Sequence, residues 1–266
     1  QWRGTKGEWT IHDEKPHVVL HQSLANWFQK QLVANTNSYI NLCEAGQKAV
    51  VKELPALTGK PSFVIPHGHY RESYPNEVSK KEARSQLNLS PGTTILLYLG
   101  YISPYKNVPH LIQTFRQLSE TTEDVTLLIA GQPDNESLKQ AVVSAAEGAR
   151  NVQLHLRFIE DDELQIFFKA TDMVVLPFEE ILNSGSLLLS LSFNRPVVAP
   201  ALGAVSQWES QLGTDWIKTY QGPLTPEVLS SSLSSHHASL GQAPLDDLDW
   251  GAIAQQTLAA YEATPV

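Results

Sequence analysis

The sequence predicts an α/β fold, a parallel sheet covered by helices and preceded by part of another domain. Two observations carry this. From Pro61 onward, short apolar or β-branched runs alternate with longer segments of helical period. The short runs are apolar throughout, as strands buried on both faces must be.

The first sixty residues have a different character. Residues 9–11 read as a strand end, 19–32 as an amphipathic helix, 39–42 as a strand and 47–54 as a helix, too little for a self-sufficient domain. Residues 57–61, with Gly59, Lys60 and Pro61, read as a hinge. Domains are therefore expected at 1–58, 59–240 and 241–266. In the main domain the candidate strands are 62–65, 94–99, 125–130, 152–156, 173–176 and 196–199, and the candidate helices 109–119, 135–146, 161–171 and 185–193. A helical stretch at 226–235, a polar loop with His236 and His237 read as solvated surface, and a terminal helix at 248–261 complete the chain.

Composition narrows the function. The chain has 266 residues, 42% hydrophobic and 18% charged, enough for one large domain or one domain plus a fragment. It begins at Gln1, and its only methionine is Met173, so more chain is expected upstream. No run approaches the roughly 20 apolar residues of a membrane helix. The single cysteine, Cys43, excludes an internal disulfide and a Cys-rich metal site and fits a reducing compartment, with cytoplasm the default. A formal net charge of −9 argues against a nucleic-acid partner, which needs a basic stripe where none is visible. It leaves room for a local cationic pocket that takes one diphosphate.

Four segments could carry chemistry. In the first, strand 94–99 ends at Gly100 and Tyr101, and a short loop delivers Lys106 near a helix start. Strand ends of this kind bind ligands in α/β sheets, glycine admits a close backbone approach, and lysine meets phosphate as a point charge; the alternative is a loop glycine and a surface lysine. In the second, Glu179, Glu180, Asn183, Ser184, Gly185 and Ser186 lead from a strand end into an apolar helix. Free N–H groups at such a start suit a diphosphate, although Ser184 could simply cap the helix. The third is Ile65-Pro66-His67-Gly68-His69-Tyr70 and the fourth Thr10-Ile11-His12-Asp13; taken alone, a lone histidine such as His67 is usually structural or incidental. No close His, Asp or Glu spacing of metal-ligand type is present. Arg157, just beyond a strand, is a weaker cationic candidate that could instead pair with Glu160 or Asp161.

Together, "WTIHDEKPH", "VIPHGHY", "LLYLGYISPYKNVPHLIQTF", "LLIAG", "DDELQIFFKATDMVVLPFEEILNSGSLLLSLSFNRPVVAP" and "LDWGAIAQQTLAAY" resemble, in order, the GT-B retaining glycosyltransferases of the bacterial mannosyltransferase and glycogen-synthase group. The resemblance implies two Rossmann-like domains facing each other across a cleft, with this main domain as the donor half and only the end of the acceptor half before it. Donor-binding residues would be His67, Gly100, Tyr101, Lys106, Glu180, Asn183, Ser184, Gly185 and Ser186. His12 and Lys106 would act in catalysis, and the terminal helix would pack back on the acceptor half. An arginine usual in the group has no counterpart, since Tyr101 and Ser103 stand there. The second of the group's paired glutamates falls on Leu189, which cannot accept a ribose hydroxyl; the first falls on Ile181 unless a small shift brings in Glu180 or Glu179.

The implied reaction moves a sugar from a nucleoside-diphosphate sugar, GDP-mannose or a UDP-sugar, to a glycan or lipid-linked acceptor. It retains the anomeric configuration, uses no metal and no cofactor, and allows peripheral membrane association through the upstream half. Lys106 and the backbone donors of 184–186 would stabilise charge on the leaving diphosphate. The rival readings are a noncatalytic sugar-nucleotide-binding or partner-docking domain, a GT-B epimerase and a phosphorylase. A dehydrogenase is disfavoured, because no G-x-G-x-x-G follows the first strand of the main domain.

Overall fold

A computed structural model describes residues 6–12, 21–234 and 240–265. The strands and helices are β1 (Glu8–Ile11), α1 (Gln22–Asn35), β2 (Ser38–Asn41), α2 (Glu44–Glu53), β3 (Ser62–Val64), α3 (Lys80–Gln86), β4 (Thr94–Leu99), α4 (Val108–Ser119), β5 (Val125–Ala130), α5 (Glu136–Ala146), β6 (Val152–His155), α6 (Leu164–Ala170), β7 (Met173–Val175), α7 (Gly185–Ser192), β8 (Val197–Pro200), α8 (Val205–Leu212), β9 (Ile217–Tyr220), α9 (Pro226–Ser234) and α10 (Trp250–Ala263). They form two compact units, Gln1–Gly68 with Asp246–Val266, and His69–Leu245. Asp13, His236 and His237 lie outside the described residues.

The first unit holds the parallel sheet β1-β2-β3. One buried cluster joins Ile11, Val33, Tyr39, Val50 and Leu57; another joins Ile40 and Ile65 to Ile253 and Ala260 of α10. Alternation along β2 sends Tyr39 and Ile40 to opposite faces, so both must be covered. The terminal helix covers one of them. The strand at Ser62 had been expected to open the main domain. It pairs instead with β2, Ile40 against Phe63, and the division falls at Gly68 rather than near residue 58. Helix α2 begins three residues before the apolar period suggests, because Cys43 caps it, its Sγ accepting the Gly46 N–H at 3.2 Å.

The second unit holds a six-stranded parallel sheet in the order β6-β5-β4-β7-β8-β9. Ile95, Leu96, Leu97 and Tyr98 of β4 are fully buried, which is what the unbroken apolar runs require of central strands. The chain builds outward from β4 to β6, then returns to β7 and builds the other way. The strand order therefore switches between β4 and β7, where open α/β sheets bind ligands. At the opposite ends of these strands, Asp172 accepts from Lys80 at 2.5 Å, from Arg84 at 2.7 Å and from the Ile95 N–H at 2.7 Å. It ties α3 to the sheet.

Candidate functional site

The carboxyl ends of β4 and β7 bring the two strongest sequence motifs onto one spot. Gly100 follows β4 at φ +144°, and Gly131 follows β5 at φ +150°. A side-chain carbon on Gly131 would lie 1.9 Å from the Gly100 carbonyl oxygen, so only glycine lets these two strand ends touch. The loop after β4 then runs along the loop after β5. Ile102 N–H donates to Gln132 O at 2.9 Å, and Asp134 N–H to Ile102 O at 2.8 Å. Tyr101 is exposed, and its hydroxyl donates to Asp134 Oδ1 at 2.7 Å.

A short 3₁₀ turn, Pro104–Lys106, and Asn107 in the left-handed conformation at φ +49° aim Lys106 back toward the strand end. The position a Gly100 side chain would fill is 3.7 Å from Lys106 Nζ and 3.6 Å from Ser186 Oγ. The ammonium also lies 5.9 Å from the Tyr105 ring centre and 5.4 Å from that of Phe178. Burial pushes the Lys106 pKa below the ordinary lysine value. Among the described residues no hydrogen-bond or carboxylate partner meets it. An ammonium held half-buried against two aromatic faces, opposite bare backbone, is able to pair with an anion.

Ser184 does cap α7, its Oγ accepting the Leu187 N–H at 3.1 Å. The capping role that competed with anion binding for this serine is thus real. It leaves the N–H groups of Gly185 and Ser186 unmet within the helix, as in any first turn. Gly185 is exposed, and Asn183 and Ser186 are partly exposed. The preceding loop is clamped from outside: a side-chain carbon on Gly203 would lie 2.3 Å from Ile181 O, and Ala204 N–H donates to Leu182 O at 3.0 Å. Glu180 is exposed and makes no hydrogen bond among the described residues. Its neighbour Glu179 is the engaged one, accepting from Asn107 Nδ2 at 2.9 Å while its N–H donates to Tyr105 O at 2.8 Å. This link joins the Lys106 loop to the α7 loop, and nothing in the spacing announced it.

His12 and His67 belong to the first unit, both at the carboxyl edge of its parallel sheet. His12 is exposed at the end of β1. The His67 ring packs edge-on against Trp250 at 5.2 Å, and its Nδ1 lies 2.7 Å from Gly68 O. Arg157 forms a two-pronged ion pair with Glu163 at 2.6 Å, rather than with Glu160 or Asp161. Beside it, an open pocket of about 420 Å³ beyond β5 and β6 is lined by Gln132, Pro133, Leu156 and Phe158. Among the described residues, no three His, Cys, Asp or Glu side chains come together as metal ligands.

Residues 79–189 match the family described as glycosyl transferases group 1. The chain is 31% identical, over 98% of its own length and 69% of the relative's, to a GDP-mannose:glycolipid 4-beta-D-mannosyltransferase of Xanthomonas campestris pv. campestris. It is 24% identical, over 74% of its length and 53% of the relative's, to a lipopolysaccharide 1,2-N-acetylglucosaminetransferase of Salmonella typhimurium. Among solved structures, Anabaena Alr3699/HepE in complex with UDP and glucose superposes with a TM-score of 0.74 at 18% identity, covering 96% of this chain and 71% of the other. Sucrose-phosphate synthase from Thermosynechococcus elongatus superposes at 0.70 and 18% identity, covering 96% and 67%.

Proposed function

We propose, because this chain belongs to the group 1 glycosyltransferases of GT-B fold and so moves a sugar from a nucleotide sugar to an acceptor, that Lys106 and the start of α7 hold the donor's diphosphate. The observation that carries this is the Lys106 ammonium, half-buried, without a protein anion among the described residues, beside the bare backbone of Gly100 and the hydroxyl of Ser186. Charge grows on the leaving diphosphate as the glycosidic bond breaks. A fixed cation and oriented N–H groups favour that state over the ground state. The charge is met by protein groups without a metal, and transfer is expected to survive EDTA. The nucleobase fits the open pocket beyond β5 and β6, with Phe158 as its exposed stacking face. His12 and His67 are assigned to sugar hydroxyls or phosphate.

The Xanthomonas relatives are named for GDP-mannose and a glycolipid. Calorimetric titration with GDP, UDP and ADP is therefore expected to give saturable binding for GDP; absence of binding to all three would sink the donor-site reading. The anomeric outcome has two readings. Retention is what the sequence resemblance implies. Inversion is favoured by the relatives' names, since a β-mannoside made from GDP-mannose, whose sugar is α-linked, has its anomeric carbon inverted. Proton NMR of the fresh product separates them: an α-linked product establishes retention, a β-linked product inversion.

The acceptor is lipid-linked in this reading, which places the enzyme on the cytoplasmic face of a membrane. No helix among the described residues is long and apolar enough to cross one. Helix α1 exposes Leu24, Trp27, Phe28 and Leu32, spaced to share one face, and carries no acidic residue. Such a face lies flat in a lipid interface. Wild-type protein is expected to pellet with phosphatidylglycerol vesicles and a Trp27→Ser, Phe28→Ser double variant to stay in solution; wild type left in the supernatant would exclude this role for α1.

A further inference from the structure

We propose that Tyr70 is a donor-binding residue whose phenolic hydroxyl, standing at the N-terminus of α7, hydrogen-bonds the distal phosphate of the nucleoside diphosphate. The proposal rests on the donor-site reading above and adds to it a residue from the segment just past the unit boundary. A side-chain carbon on Gly185 would lie 3.3 Å from Tyr70 Oη and meet nothing else within 4 Å among the described residues. The phenol therefore stands beside the first helical residue, over the small-residue turn whose N–H groups await an acceptor. The next residue, Ser186, has its hydroxyl 3.6 Å from the side-chain position of Gly100, where Lys106 Nζ also arrives. Phenol, serine hydroxyl and ammonium thus converge on the opening turn of one helix.

Tyr70 is held there by its neighbours. Its N–H donates to Ser192 Oγ at 2.9 Å, and that hydroxyl donates to Leu188 O at 2.6 Å, so the tyrosine backbone is fixed to the helix its side chain overlooks. The next residue, Arg71, donates through Nη2 to Ala243 O, and Ala243 N–H donates to Asn194 Oδ1 at 3.0 Å, just beyond the end of α7. A backbone fixed this way keeps Tyr70 beside the helix start when a phosphate arrives. Burial, and beyond it Tyr74, holds the phenol pKa above the ordinary tyrosine value, so the hydroxyl stays protonated and donates. A neutral donor at the helix start supplies a further contact to the phosphate.

Tyr70→Phe keeps the ring over Gly185 and removes only the hydroxyl. Calorimetric titration of wild type and variant with GDP and GMP, alongside a thermal melt, separates a phosphate contact from a packing role. The expected result is a loss of about tenfold in GDP affinity, the ordinary effect of deleting one hydrogen bond to a charged group, with GMP affinity unchanged. Unaltered GDP affinity, or equal losses for GDP and GMP, overturns the assignment of Tyr70 and leaves the donor site standing. Wild type that binds neither nucleotide overturns the donor-site reading, and Tyr70 with it.

Discussion

Replacing Lys106 with methionine is expected to lower kcat/KM for sugar transfer by about 10²–10³-fold, the usual loss when one preorganised electrostatic group is removed. It should also raise the melting temperature of the unliganded protein by about 2–4 °C. The two effects share a cause. Burial depresses the Lys106 pKa, so folding disfavours its charged form. That penalty is fully present at pH values below the depressed folded-state pKa. It disappears as pH rises past the ordinary lysine value, where the side chain is neutral in both states. Methionine fills a similar volume and deletes the penalty, so the stability gain should be full below the depressed pKa and shrink as pH rises toward the ordinary lysine value of 10.5. Saturating GDP should reverse the order, because the bound diphosphate supplies the missing anion in wild type only. Thermal melts across pH, with and without GDP, read all of this. A variant that melts at or below the wild-type temperature while transferring sugar at the wild-type rate would return Lys106 to the status of a surface lysine.

Where the local pattern was strong, the sequence was enough. β4 and β5 run over the residues their apolar runs mark, because a strand buried on both faces has no choice of residue type. Asn135 caps α5 where its position suggests, its Oδ1 accepting the Leu138 N–H at 2.9 Å. Gly100, Lys106 and the Ser184–Ser186 turn were legible as strand-end chemistry, and the fold brings them together. β9 passed unnoticed because Ile217-Lys218-Thr219-Tyr220 is short and half polar, as an edge strand can be. α3 announces itself only through the capping box of Ser79 and Glu82. The boundary at Gly68 is set by the pairing of β3 with β2, a tertiary choice that no local signal encodes. The link from Asn107 to Glu179 escaped for the same reason, since it joins segments more than 70 residues apart.

Gly131 stands where the ends of β4 and β5 touch, and Gly131→Ala is expected to destabilise the protein by about 4 kcal/mol or more. Two costs combine. At φ +150° an alanine is strained whatever the space around it. Its Cβ would also stand 1.9 Å from Gly100 O and 2.8 Å from Gly100 C, backbone atoms that no rotamer change can move. Both backbones are fixed by the sheet, with Gly100 N–H donating to Ala130 O and Gly131 N–H to His155 O, each at 3.0 Å. Relief must come from parting the ends of β4 and β5, which displaces Gly100 and the loop that aims Lys106. The melting temperature should therefore fall by roughly 8–16 °C, and the protein that remains folded at low temperature should have lost GDP affinity as well. Gly148→Ala separates the two costs. Its φ is +75°, and nothing lies within 4 Å of the added carbon, so backbone strain alone should cost about 1 kcal/mol and leave GDP binding untouched. Equal losses in the two variants, read by denaturant unfolding, would show that the strand ends yield easily and that Gly131 is kept for its dihedral angle alone.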